Sequence, residues 1–387
     1  MQAEAWVIHA RNDDQPAELR LETIDLPPMA ADEVLAAPVY GCWEGNMSHA
    51  IRRRPVDVCR LRLEKRVVLG NAGVVRVLST GPEVTGVAQG DHAVLVPVGA
   101  QDEYGYMTRI FGFDMPGTIG MLSKRTKLKQ HQLFRIPPDS PHTLAQWAAT
   151  SVRWATAWDN WKITYACYRT QMSVQDEPRP WVWGWGGGVV LAELQLAAQE
   201  NCRVAMLASS DARLDMIRAC GIVAVDRRAF ADLQYDAARF EGDAEYRERY
   251  LRSERAFLRT VNQITEGRRV GIFIDNIGAP VYRATVRALA RQGVITTSGW
   301  DKGGTLQTSR IEACIQRHIH VNTHGARYRA GLDACEYMAS KNGAWAPRIT
   351  GEVYAWERIP ELAARFANGE IDSYFPLFEV NPELVRG

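Results

Sequence analysis

Up to about residue 140 the chain alternates short apolar runs with turn residues. EVLAAPVYG, RVVLG, AGVVRVLST and GDHAVLVPVG are rich in Val and Leu and bounded by Gly or Pro, which predicts a mostly antiparallel, barrel-like region. The texture changes at Thr143. LAQWAATSVRWATAWDNWKI has few breakers and spaces Trp147, Trp154, Trp158 and Trp161 by seven, four and three, predicting one helix with all four indoles on one face. From Trp181, apolar strands (WVW, RVAMLA, IVAVD, VGIFID, QGVITTSGW) alternate with helical stretches, and this order requires crossovers and a parallel sheet. The highly charged run from Ala229 to Gly267 reads as an extra helical segment on the outside of that sheet: a solvated insertion, an oligomer contact or a substrate-tail site. After His324, helices (GLDACEYMAS, RIPELAARFANGE) and a last strand, YFPLFEV, are expected to return to the first region and complete it. The fold class is therefore α/β, with one domain over 1–150 and 325–387 and a doubly wound nucleotide-binding domain over 151–324.

Composition narrows the picture. The 387 residues are 46% hydrophobic and 24% charged, ordinary for a folded chain of about two domains. With 46 basic against 45 acidic residues the formal net charge is +1, giving no overall field for a polyanion, so nucleic acid is not an expected partner. The seven cysteines are scattered and never in a CxxC pair, as reduced thiols in a cytoplasmic protein would be. No run is long and apolar enough to span a bilayer, and the first residues lack the pattern of a signal peptide. Seven of the twelve tryptophans lie between 147 and 185, either as packing aromatics or close to a bound cofactor.

Candidate chemistry begins at the turn Gly184, Trp185, Gly186, Gly187, Gly188. Glycines between a strand and a helix let a diphosphate approach backbone N–H groups, which predicts a dinucleotide site; Val190 stands where a third spaced glycine is usual. The next strand ends in Ser209, Ser210 and Arg213 rather than in an acid alone. Hydroxyls and a guanidinium suit a 2′-phosphate, so NADPH is the expected cofactor, although Asp211 could turn toward the ribose and Ser209 could instead cap the helix.

These features together resemble the medium-chain dehydrogenase/reductase superfamily. The residues that carry the resemblance are Gly73-Val74-Val75, Gly81-Pro82, Gly90-Asp91, the glycine turn and Asp275-Asn276-Ile277-Gly278; the GFDMPGTIG and ASSDARLDMIRACGIVAVDRRAF runs look most like the crotonyl-CoA carboxylase/reductase branch and its enoyl-thioester reductase relatives. The resemblance implies a GroES-like substrate domain and a Rossmann domain. It also implies an NADPH-dependent reductase of an activated C=C bond, acting on an acyl thioester held on coenzyme A or a carrier protein, or on an enone, as a homodimer or homotetramer. Oligomers are expected to form through the QGVITTSGW and HIHVNTHG strands. Cys42 falls where alcohol dehydrogenases of the superfamily have their first zinc ligand, but Asn71-Ala72 replaces the expected His-Glu, so no metal is expected. Matched motif to motif, Tyr40, Asp114 and His324 are the candidate catalytic residues, with Cys42, Trp43, Asn71 and Phe113 in the substrate pocket. Asn276, Gly299 and Trp300 are placed near the nicotinamide. Tyr40 stands at the position of the carboxylating relatives' CO2-binding Asn, and Asp114 at that of their Glu. Reductive carboxylation, a zinc-free alcohol dehydrogenase and a non-catalytic binding subunit stay open as alternatives, as does a phosphate grip at Arg52, Arg53 and Arg54.

Overall fold

A computed structural model describes residues 1–299, 310–340 and 345–385. The chain divides into two compact units, Met1–Ala155 with Ala326–Gly387, and Thr156–Gly325.

In the first unit the Glu33–Cys42 strand is the hub. It is flanked by Gly73–Thr80 on one side and by the late strand Leu377–Glu379 on the other, both antiparallel. Val34, Ala36 and Val39 along it are fully buried, the two-residue alternation being interrupted where the pairing with Gly73–Thr80 shifts register at Leu35/Ala36 and Pro38/Tyr40. Gly41 is obligatory: a Cβ there would lie 2.1 Å from the Phe378 ring. The C-terminal segment thus returns to complete the first sheet through residues more than 330 positions apart in sequence. A separate three-stranded sheet runs Arg20–Asp25, Gln2–His9, Arg66–Val67.

The second unit is a six-stranded, all-parallel sheet. Its strands run, in spatial order, Val223–Asp226, Arg203–Ala208, Trp181–Trp185, Val270–Asp275, Leu289–Thr297 and His320–Thr323. This is the 3-2-1-4-5-6 order of the Rossmann fold, whose direction reverses beside the first strand. The charged run forms two helices, Ala237–Gly242 and Ala244–Ile264. The longer one is not merely solvated, because Tyr250, Phe257 and Val261 enter the core.

One expectation fails here. The tryptophan-rich stretch is two helices, Leu144–Thr150 and Arg153–Gln171, interrupted at Ser151, whose hydroxyl donates to the Leu95 carbonyl. The four indoles accordingly share no single face. Trp147, Trp154 and Trp161 are fully buried, whereas Trp158 is part-exposed with Lys162 Nζ 4.7 Å from its ring. Trp183 and Trp185 belong to the second unit's core, Trp185 stacking on Phe257 at 5.2 Å.

Candidate functional site

The carboxyl end of the Glu33–Cys42 strand carries the expected substrate residues. Tyr40 pairs through its backbone with Val74 on one side and Glu379 on the other, and its side chain is half-buried. Trp43, expected in the pocket, is a core residue: it has no exposed surface, and its indole N–H donates to Ser48 Oγ at 3.0 Å. Cys42 is equally enclosed. Its sulfur accepts a hydrogen bond from the Arg153 guanidinium, which also donates to the Trp43 carbonyl at 2.8 Å and lies 3.0 Å from Glu44 Oε1. Sequence reasoning missed both Arg153 and Glu44, because nothing in the spacing links position 153 to position 42.

Burial governs the chemistry of this cluster. It pushes the Cys42 thiol up to about 12 and the Glu44 carboxyl up to about 7, the latter despite the pull of Arg153. Arg153 keeps its charge, since Cys42 and Glu44 outweigh its own desolvation. A zinc ion does not fit here. The one thiol already accepts a hydrogen bond from a buried cation, Asn71 supplies a neutral amide, and among the described residues no group of three or more His, Cys, Asp or Glu could hold a metal.

Asn71 is 2% exposed, with its Oδ1 lacking a hydrogen-bond partner among the described residues. Phe113 packs against the core that holds Trp43 and Met47. Asp114 closes a turn: its Oδ1 accepts the Ile110 N–H at 2.6 Å, and its Oδ2 lies 3.8 Å from Arg109. In the run Arg52, Arg53, Arg54, the middle guanidinium is engaged by Asp57 at 2.9 Å and by the Arg11 carbonyl at 3.0 Å, which is a structural use rather than a phosphate grip.

In the second unit the glycine turn opens the Gly188–Gln199 helix, with Gly187 as its N-cap. Val190 is fully buried and explains the glycines before it. A Cβ on Gly184 would meet Val190 Cγ1 at 2.4 Å, and one on Gly186, whose φ is +151°, would meet Cγ2 at 2.7 Å. The close strand–helix approach that a third glycine normally allows is kept here by glycine on the strand side. Among the described residues no atom lies within 4 Å of a Cβ placed on Gly187, which leaves room for a diphosphate at the helix N-terminus.

At the end of the Arg203–Ala208 strand, Ser210 and not Ser209 is the helix cap, accepting the Arg213 N–H at 3.4 Å. Ser209 is exposed. Asp211 is taken up by Arg228 at 2.6 Å, and Arg228 also grips both oxygens of Asp226. The acid that could have favoured a free ribose is therefore matched by a guanidinium the sequence reading overlooked. Asn276 and Gly299 meet across adjacent strand ends. Asn276 Nδ2 donates to Ser298 Oγ at 2.9 Å, and a Cβ on Gly299 would lie 2.8 Å from the Asn276 carbonyl. Trp300 lies outside the described residues. His324 is fixed by its backbone N–H to the Thr297 carbonyl at 3.0 Å, and its shielded Nδ1 is 3.9 Å from the buried Asp159. Of the three expected catalytic residues, Tyr40 and Asp114 belong to the first unit and His324 to the second.

No protein-family model matches the chain. It is similar to a crotonyl-CoA reductase of Streptomyces avermitilis, 22% identical over 386 residues, covering 92% of this chain and 81% of that protein. Among solved structures, the crotonyl-CoA carboxylase/reductase AntE in complex with NADP aligns with a TM-score of 0.77 at 21% identity, covering 98% of this chain and 95% of that one. The 2-octenoyl-CoA carboxylase reductase CinF, in complex with NADP and 2-octenoyl-CoA, gives 0.77 at 19%, covering 100% and 91%. A thermostable alcohol dehydrogenase from Pyrobaculum aerophilum gives 0.70 at 14%, covering 98% and 100%.

Proposed function

From a chain with the medium-chain dehydrogenase/reductase fold, a GroES-like unit and a Rossmann unit, we propose an NADPH-dependent reductase of the activated C=C bond of an α,β-unsaturated acyl thioester, working without zinc. The observation that carries this reading is Arg153: a buried guanidinium occupies the Cys42 sulfur in a fold whose dinucleotide turn is intact. Without a metal to polarise an alcohol or carbonyl oxygen, an activated double bond is the substrate that fits.

Gly186, Gly187 and Gly188 would hold the diphosphate, Ser209, Ser210 and Arg213 the 2′-phosphate, and Asn276 and Gly299 would line the nicotinamide. Bound NADPH supplies the hydride for the β-carbon. The chain's part is then to hydrogen-bond the thioester oxygen as charge gathers there and to deliver a proton to the α-carbon. Tyr40, His324 or a water held by Asp114 supplies that proton. Reductive carboxylation is the second reading, favoured by the carboxylase/reductases of the same fold. Two features oppose it: a phenol at position 40 lacks the donor and acceptor of an amide, and the short Asp114 already accepts the Ile110 N–H.

Incubating the protein with NADPH and crotonyl-CoA, with and without bicarbonate, is the deciding experiment. NADPH consumption with a saturated acyl product is expected in both arms. Consumption only with bicarbonate, yielding a carboxylated product, selects the second reading. Reduction of NADP by saturated alcohols selects an alcohol dehydrogenase, and no turnover of any unsaturated thioester or enone removes the reductase. Among the described residues no helix is long and apolar enough to cross a membrane, which agrees with a cytoplasmic enzyme. The His320–Thr323 strand at the sheet edge supports assembly as a homodimer or homotetramer.

A further inference from the structure

The helix Ala244–Ile264 obeys one charge rule over its first half and breaks it over its second. Arg249 and Arg252 each pair with a glutamate one turn earlier, Glu245 and Glu248. Arg255 and Arg259, by contrast, are one turn from each other. Like charges at this spacing oppose the helix, and among the described residues neither guanidinium has a carboxylate partner. Both are exposed, so no packing explains them.

They converge instead on a cleft of about 590 Å³ within the second unit. Arg269, ahead of the Val270–Asp275 strand, and Arg287, at the end of the Ala279–Ala288 helix, face the same cleft. Four arginines from three segments thus line one concavity, Arg269 also donating to the Arg287 carbonyl at 3.4 Å, and among the described residues no acidic residue lines it. Arg287 is anchored from behind by the buried Glu254, which also accepts from Arg283 Nε at 3.0 Å. Asn262 and Gln263 add amide groups at the rim, while Leu258, Val261 and Ala288 supply an apolar floor.

We propose that this cleft is a binding site for a small molecule carrying a diphosphate, distinct from the dinucleotide turn. Planar guanidiniums with several donors each match phosphoryl oxygens, and Cβ atoms one helical turn apart, about 6 Å, give each phosphoryl group its own arginine. The volume lies within the range of small-ligand sites. The apolar floor suits a nucleoside attached to the diphosphate. A violated local charge rule with no return in stability is what a binding site looks like in an otherwise consistent sequence.

The test is calorimetric titration of the full chain and of R255A/R259A with sodium pyrophosphate and separately with ADP. Saturable binding is expected with at least one. It should weaken at least tenfold in R255A/R259A, while NADPH affinity and thioester turnover stay unchanged. ADP tighter than pyrophosphate assigns the apolar floor to a nucleoside; equal affinities assign the site to the diphosphate alone. The double variant relieves a repulsion and should melt no lower than the wild-type chain, so lost binding would not reflect unfolding. No saturable binding of either compound, or binding that the double variant leaves intact, overturns the proposal. Because no cofactor enters the titration, a chain that failed to bind NADP would defeat the reductase reading without touching this result.

Discussion

At Glu44 a carboxyl group sits out of reach of water beside a guanidinium. Its pKa, raised by burial from an ordinary 4.5 to about 7, means that between those values the folded chain holds a proton the unfolded chain has released. Stability therefore falls as pH rises through that window, and the loss is complete above about 7. Glu44→Gln should flatten this part of the melting-temperature profile; parallel profiles for the two proteins would contradict the assignment. Arg153→Met should be the harsher change. Above pH 7 it strands an ionised carboxylate in the core, at a cost of about 3 kcal/mol, and the loss should shrink at acid pH, where Glu44 is neutral. Denaturant unfolding at the two pH values measures the difference.

Between strand Trp181–Trp185 and helix Gly188–Gln199, glycine and valine act as a matched pair. Gly184→Ala should destabilise by about 1–3 kcal/mol through overpacking against Val190. In the double variant with Val190→Ala the two losses should be less than additive, because removing the Val190 methyls makes room for the new Cβ. Strict additivity in unfolding experiments would mean that the contact is absent. The departure at Val190 was readable in the sequence; its compensation at Gly184 and Gly186 was not, since it depends on how closely two backbones approach. The strand–helix alternation and the turn itself were legible because period and breakers are local signals. The break at Ser151 and the choice of Ser210 over Ser209 as cap were not, because a single side-chain hydrogen bond decides each of them. Arg153 and Arg228 escaped for the same reason on a larger scale: each takes its role from partners brought near by the fold.

For the whole molecule, the exposed edge of the parallel sheet is the expected self-association surface. Among the described residues His320–Thr323 pairs with one neighbouring strand, and Val321 is 47% exposed there. A homodimer or homotetramer mass is the expected result of size-exclusion chromatography with light scattering, and Val321→Lys should reduce it to a monomer with the fold intact; a wild-type mass that the substitution leaves unchanged would place the contact elsewhere. The return of the C-terminal strand has another implication, for the order of events on the ribosome. The parallel sheet is encoded by one uninterrupted stretch and has all its strands once Thr323 has emerged. The first sheet must wait for Leu377–Glu379, and until Phe378 arrives the strand that carries Tyr40 and Cys42 has an open edge and a vacant place over Gly41. The unit made first is thus completed last, and nascent chains spend most of their synthesis with that edge available to chaperones.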